Sequence, residues 1–211
     1  MSAPDFSLIE TLHFDPHAGF RNLDRHRARL SRSANDLGLV FAAEKLEETL
    51  AHVPDHLGPL RVRLELWPDG RLTLTHAPFT PLLAAQVWRV AIAATRLMST
   101  DPLLRHKTSR RDRYNAARAE FPATDVDEVL LLNEKGEVCE GSFTSLFVKA
   151  PDGMLLTPPL HTGLLAGVLR QRLLDEGQVR EQVLYPKDLE GHKIFVGNSL
   201  RGLIPARLIE T

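Results

Sequence analysis

The chain reads as an α+β protein in two parts, a small α+β domain over residues 1–80 and a larger barrel-like domain over residues 81–211. Three observations predict this. Up to Leu74, strand-like alternation is interleaved with two stretches of helical spacing. From Val87 onward, short apolar runs bounded by turn residues outnumber the helical stretches, which suggests a strongly curved or barrel-like sheet. Between them, Ala77–Pro81 carries two prolines and is the expected linker.

In the first part, Leu8–Phe14 reads as a strand and Asp15–Gly19 as a turn punctuated by Pro16 and Gly19. Asn22 fits a helix N-cap, with Asp24 in the first turn. Leu23, Leu30, Ala34 and Leu37 then recur at helical spacing, and Gly38 fits the stop. Ala43–His52 is a second, more charged helix. Leu60, Val62, Leu64 and Leu66 alternate, Pro68-Asp69-Gly70 turns, and Leu72 and Leu74 alternate again, which makes a hairpin.

In the second part, Val87–Ala94 is strand-like and Asp112–Glu120 has helix-forming composition. Val129–Leu132 is an apolar strand ending in a turn at Asn133–Gly136. Leu146–Val148 and Met154–Thr157 flank a Pro151-Asp152-Gly153 turn, and Gly167–Glu176 is a helix closed by Gly177. Val179–Leu184, Lys193–Gly197 and Leu203–Ile209 supply the remaining strands. No internal repeat or low-complexity segment interrupts this order.

Composition narrows the function. Of 211 residues, 43% are hydrophobic and 25% charged, as in ordinary soluble globular proteins. The formal net charge is −1, so any basic cluster is local, which argues against a protein built to coat nucleic acid. Cys139 is the single cysteine, so no internal disulfide forms and a reducing compartment is expected. No apolar run is long enough to span a membrane, and MSAPDFSLIE lacks the regions of a signal peptide; a cytoplasmic protein is expected. No metal-ligand set is read.

Chemistry concentrates in a few stretches. Leu103–Arg118, LLRHKTSRRDRYNAAR, sets Lys107 among Arg105, His106, Arg110, Arg111 and Arg113. Such a run is either a solvated basic face or a setting whose cations depress the lysine pKa and make it a nucleophile. Arg29 sits beside the apolar stripe of the first helix, where an arginine either snorkels to water or turns inward to hold an anion; Arg25 is expected to point to solvent. Glu140, before the Gly141-Ser142 corner, is either a polar turn residue or the partner of a buried cationic nitrogen. Gly163 and Gly167 precede a helix whose first N–H groups could cradle a phosphate. Ser199 and Arg201, in GNSLRGLIP, could hold anionic groups or form an ordinary turn.

The succession R-A-R-L, H-K-T, E-G-S-F-T, T-P-P-L with G-L-L-A-G-V, and N-S-L-R-G, spread from Ile9 to Pro205, resembles the class IV (fold type IV) pyridoxal-phosphate enzymes. That family includes branched-chain and D-amino-acid aminotransferases and 4-amino-4-deoxychorismate lyase. The opening ETLHFDPHAGFRNLDRHRARLSRSA looks most like the lyase domain fused behind aminodeoxychorismate synthase. The resemblance implies pyridoxal 5'-phosphate as cofactor, placed between the two domains, a homodimer and a small-molecule substrate. It makes Lys107 the Schiff-base lysine and acid/base, and Glu140 the partner of the pyridine nitrogen. It gives the phosphate to Arg29, the Gly167 and Val168 amides and Ser199, a substrate carboxylate to Arg201, and a place in the pocket to Thr11. Three departures from the family stand out: Ser145 where asparagine is usual, Leu169 where threonine often follows Val168, and a start without the usual opening strand and glycine-rich turn, as in the fused-domain type.

The expected activity is the lyase reaction giving 4-aminobenzoate and pyruvate, with an aminotransferase as the alternative. A catalytically degenerate family member is a further reading. So is a nucleic-acid module using Arg105–Arg118, although Tyr114 alone, without regular aromatic interleaving, makes a poor stacking platform.

Overall fold

A computed structural model describes residues 5–83 and 85–209. The chain divides into two compact units, one running through Pro81 and taking in His106–Arg110, the other comprising Leu82–Arg105 and the chain from Arg111.

The first unit contains β1 (Leu8–Asp15), β2 (Gly19–Phe20), α1 (Leu23–Leu37), α2 (Ala43–Leu50), β3 (Leu60–Leu66) and β4 (Leu72–Pro78). Its sheet runs β2-β1-β3-β4, antiparallel throughout. Alternation decides its faces: Leu60, Val62, Leu64 and Leu66 are buried while Arg61 is exposed. With Leu8 and Leu12 they pack against Leu30 and Ala34 of α1 and Leu46 and Leu50 of α2. Each leucine so buried stabilises the unit by roughly 1.5–3 kcal/mol. Glu10, opposite Leu64, shares this apolar face.

Both ends of α1 fall where the sequence predicts. Gly38 stops it in the left-handed region, φ 70°, with its N–H on Ala34 O. The start differs in kind. Asn22 is also left-handed, φ 56°, and its backbone carbonyl, not its side chain, accepts from Arg25 and His26 N–H at 3.1 Å. Asparagine tolerates that conformation better than most side chains do.

β2 pairs only with Phe14 and Asp15, which leaves the first half of that edge of β1 to another segment. His106–Arg110 fills it: Ile9 N donates to Lys107 O (2.7 Å), Leu8 bridges Thr108, and Ser109 N donates to Ser7 O (2.8 Å).

The second unit contains β5 (Trp88–Leu97), α3 (Asp112–Ala119), β6 (Glu128–Asn133), β7 (Val138–Gly141), β8 (Ser145–Lys149), β9 (Leu155–Thr157), α4 (Val168–Asp175), β10 (Val179–Glu181), β11 (Ile194–Asn198) and β12 (Gly202–Leu208). Its eight strands, ordered β10-β9-β8-β11-β12-β5-β6-β7, curl into a half-barrel. β6 is buried along its whole length because both faces are covered. Leu130 and Leu132 pack with Leu146, Val196 and Ile204, while Val129 and Leu131 pack with Ala117 of α3 and Cys139. Among the described residues no helix is long and apolar enough to cross a membrane.

Candidate active site

Glu140 lies within β7 rather than at its end. A register shift between Leu131 and Leu132 sets it opposite Leu131, on the face that carries α3. Bulges of this kind re-aim side chains. Glu140 is only 5% exposed. Its Oε1 accepts from the Tyr114 hydroxyl at 2.7 Å and from Leu165 N at 3.1 Å. Burial and the neighbouring Glu140 charge push the Tyr114 phenol well above its usual pKa, so it stays a neutral donor. Arg111 stacks on the Tyr114 ring (4.9 Å) and donates to Ser142 O. Glu140 is therefore fixed from α3 and from the segment leading to α4.

The corner after Glu140 is wrapped around a second carboxylate. Glu128, fully buried, accepts from Val129 N (2.9 Å), Ser142 N (3.0 Å), Ser142 Oγ (2.6 Å), Phe143 N (3.2 Å) and Thr144 Oγ1 (2.8 Å). Burial raises its pKa, and these bonds pull the other way. Gly141 is required here: a Cβ would lie 2.3 Å from Thr144 Oγ1 and 2.8 Å from Glu128 Oε2. Sequence reasoning overlooked Glu128, starting the strand at Val129. The available signal was a charged residue opening an otherwise apolar run.

The anion-binding candidates of this unit are neighbours. α4 starts at Gly167 with no side-chain cap among the described residues. A Cβ on Gly167 would lie 2.7 Å from Ser145 Oγ, so the helix start sits directly against β8. Ser145 pairs with Gly197 of β11, and a Cβ on Gly197 would lie 2.8 Å from Leu169 Cδ2. Ser145 thus lies against the α4 start, and Leu169, in the first turn of α4, lies against Gly197 of β11. Val168 is buried in the first turn, and Ser199, also buried, follows β11 directly. Arg201 N donates to Asn198 Oδ1 (3.0 Å), and Asn198 Nδ2 reaches Phe143 O (3.3 Å), which joins this hairpin to the Glu140 corner. The second unit therefore gathers Glu140, Gly167, Val168, Ser199 and Arg201.

The first unit gathers the remaining candidates around β1. Lys107 is half-buried and anchored on both sides: His106 Nδ1 bonds Ser33 Oγ of α1 (2.9 Å), and the next residues zip onto β1. The cations around it in sequence disperse. Arg105 is exposed, Arg110 pairs with Asp5 and lies over Phe6, Arg111 holds Ser142 and Arg113 donates to Arg96 O. Arg105 ends a 3-10 turn and Arg113 lies in α3, so the cations sit on different elements, and their succession in sequence carries no argument for the lysine's reactivity. Thr11, half-buried, faces Arg63 across the sheet and alternates onto the side opposite Glu10.

Arg29 is buried and turned inward. Its Nε donates to Glu10 Oε1 (2.8 Å) and its Nη2 to Glu10 Oε2 (2.6 Å), while His26 Nδ1 meets Glu10 Oε2 at 2.6 Å. Burial raises the Glu10 pKa, but the charges and hydrogen bonds of Arg29 and His26 outweigh it and hold the carboxyl at about 2. An ionised carboxylate only accepts, so His26 Nδ1 is the donor. Arg25 is half-buried instead of pointing to solvent, because one turn of helix places it on the same side as Arg29.

Residues 7–209 match the family model described as class IV amino-transferase. A probable branched-chain-amino-acid aminotransferase of Thermotoga maritima is 31% identical over 215 residues, spanning 95% of this chain and 76% of its own. A putative aminodeoxychorismate lyase of Schizosaccharomyces pombe is 28% identical, spanning 96% of this chain and 90% of its own. In structure, a putative amino-acid aminotransferase from Mesorhizobium loti superposes with a TM-score of 0.95 at 48% identity, covering 97% of this chain and all (100%) of that one. With the family model spanning nearly the whole sequence and the small sheet and curled half-barrel both in place, the chain belongs to the class IV aminotransferases, a family of pyridoxal-phosphate-dependent enzymes.

Proposed function

We propose that this chain uses pyridoxal 5'-phosphate to act as a 4-amino-4-deoxychorismate lyase, releasing 4-aminobenzoate and pyruvate, and that it works as a cytoplasmic homodimer. The observation that carries the cofactor is the chemistry of the donor sets. A phosphate asks for N–H and O–H donors, which Arg29, the uncapped start of α4 at Gly167 and Val168, and Ser199 supply. A side chain at Gly167 would strike Ser145 Oγ, so a glycine is what lets the helix start pack against β8. A pyridine ring asks for a carboxylate at its nitrogen, and Glu140 is buried and held by Tyr114 and Leu165 N. The lyase reading is supported by the N-terminal stretch, which looks most like that branch; the length of match does not separate the two readings, since the lyase relative is covered to 90% and the Mesorhizobium aminotransferase to 100%.

When bound, pyridoxal phosphate supplies an aldehyde that condenses with amines and a ring that accepts the electrons left when a proton departs. The chain's own residues do the rest. The Lys107 amine takes the proton from the substrate carbon that bears the amino group. Glu140 keeps the ring nitrogen cationic. Arg201 holds a substrate carboxylate, and Thr11 lines the pocket. The six-membered ring of the substrate then aromatises as pyruvate leaves. An aminotransferase is the second reading, favoured by the Thermotoga and Mesorhizobium relatives; there Lys107 would both take and return the proton.

Feeding aminodeoxychorismate, and separately a panel of amino acids with 2-oxoglutarate, decides between them. Pyruvate with 4-aminobenzoate is the expected product pair; new 2-oxo acids from the amino-acid panel alone would overturn the lyase reading. Borohydride treatment of the loaded protein should leave the cofactor attached to Lys107, and attachment at any other lysine would remove Lys107 from its role.

A further inference from the structure

Arg170, in the first turn of α4, is the largest fully buried side chain among the described residues. Nothing in the proposed chemistry uses it. Its Nη2 donates to Pro158 O at 2.8 Å and to Glu181 Oε1. Pro158 follows β9 directly, and Glu181 of β10 pairs with Thr157, the last residue of β9. One side chain thus ties the first turn of the helix to the end of a strand pair. The contact is ill suited to stability alone. Glu181 is exposed, and Arg170 Nε finds no acceptor among the described residues. An apolar side chain of similar volume would fill the space without the cost of burying a charge. What the arginine adds is direction, because a hydrogen bond constrains angle as well as distance.

We infer that Arg170 is a positioning residue, which pins the first turn of α4 so that its N–H groups keep the arrangement a phosphate requires. The inference rests on the reading of the α4 start as part of the phosphate site. The first N–H groups of a helix have no carbonyl partner inside it, and they converge on an anion only while that turn holds its shape. With eight residues, α4 is too short to hold its own end firmly. Its first turn is held from outside instead. Gly167 lies against Ser145 and Leu169 against Gly197, and both are packing contacts that limit approach. The bond from Arg170 to Pro158 O is the directional one. Two other roles predict different behaviour. A purely structural side chain would leave the preference for phosphate untouched. A charge acting on the phosphate at a distance would be supplied equally by lysine, which is a point charge on a shorter stem.

The test is a set of binding titrations on the protein freed of cofactor, comparing pyridoxal phosphate with pyridoxal, which lacks the phosphate. Arg170→Met removes the donors and keeps the bulk. Arg170→Lys keeps the charge and serves alone if the methionine variant does not fold. Arg172→Met, at a half-buried position of the same helix, is the control. Expected is a loss of about tenfold in affinity for pyridoxal phosphate in both Arg170 variants, unchanged affinity for pyridoxal, and no change in the control. Equal losses for both ligands, or a lowered melting temperature with unchanged preference, would make Arg170 purely structural and overturn the inference. So would a similar loss in Arg172→Met. An Arg170→Lys protein that binds like its parent would overturn it in favour of the charge. Amide exchange in the parent reports on the underlying reading. Pyridoxal phosphate, and not pyridoxal, should slow exchange at Val168 and Leu169. If neither slows, the α4 start does not hold the phosphate and the inference falls with that reading. If both slow and the Arg170 variants keep their preference, the reading stands and the inference alone is overturned.

Discussion

Glu10 in the first unit and Glu128 in the second are both buried carboxylates ringed by donors, and their charge is settled in opposite directions. Around Glu10 the donors are the side chains of Arg29 and His26, whose charges and hydrogen bonds hold the carboxyl at about 2. Around Glu128 every hydrogen-bond donor is neutral, a backbone amide or a hydroxyl, and burial prevails: the pKa rises. Hydrogen bonds alone do not repay the loss of water around a charge here; cations do. The two sites also differ in what they shape. Glu10 acts on one side chain of a neighbouring helix, whereas Glu128 dictates the path of the backbone just beyond Glu140.

That division makes an expectation: variants in the second unit's corner strike the rate, and variants in the first unit's cluster strike cofactor affinity. The largest effect belongs to Glu140→Gln. On the proposed reading it removes the negative charge that would face the ring nitrogen and leaves the proposed phosphate donors, Arg29 and the α4 start, in place, so turnover should fall by orders of magnitude with cofactor binding retained. Steady-state rates near the parent's would take Glu140 out of the site. Next comes Arg29→Ala, expected to weaken pyridoxal phosphate binding by roughly ten- to a hundredfold with the loss of a charge-assisted hydrogen bond. Arg32→Ala, on the exposed side of the same helix, is the matched control and should change little; equal binding by the two variants would erase the contrast between the units.

The smallest effect sharpens the comparison itself. The Glu10 carboxyl is depressed in the folded chain, so the stability its ionised form contributes is present above the usual 4.5 and is lost as pH falls from there toward about 2. The Glu128 carboxyl is raised, so acidification through its range favours the folded chain instead. Urea unfolding at pH 5 and pH 3 should therefore show the parent losing stability and Glu10→Gln losing less. At pH 7, Glu128→Gln should lower stability by about 1–3 kcal/mol, because a glutamine leaves buried N–H and O–H donors short of acceptors. A Glu128→Gln protein more stable than its parent would mean that removing the buried charge is worth more than the acceptor sites the carboxylate gives up.

Much of the fold was legible because its signals are local. The alternation of Leu60, Val62, Leu64 and Leu66 and the stop at Gly38 need only neighbouring residues to be read. β2, with two residues, and β7, with four, are too short to show a period, and Glu140 belongs to the second of these. The inward turn of Arg29 was one of two readings open from the helical stripe; choosing between them needed Glu10, which lies on a strand 19 positions earlier. Glu128 and its corner are separated by 14 to 16 positions, and nothing in either stretch announces the other. The partners of the cations around Lys107, Asp5 for Arg110, Ser142 O for Arg111 and Arg96 O for Arg113, were equally hidden, because they lie on other stretches of the chain.

The docking of His106–Arg110 on β1 has a consequence for how the chain is made. The edge of the small sheet beside Leu8 and Ile9 is closed by residues that leave the ribosome only after β5 has been synthesised. Until then β1 carries an open edge, able to pair with another chain. Lys107 gains its place only when that late closure occurs, since its own carbonyl makes one of the closing bonds. The exchange of the Ile9 amide proton with solvent is thus a direct clock for the lysine: a slow Ile9 proton reports a seated Lys107, and a fast one reports a segment that has come away while the rest of the sheet stays folded.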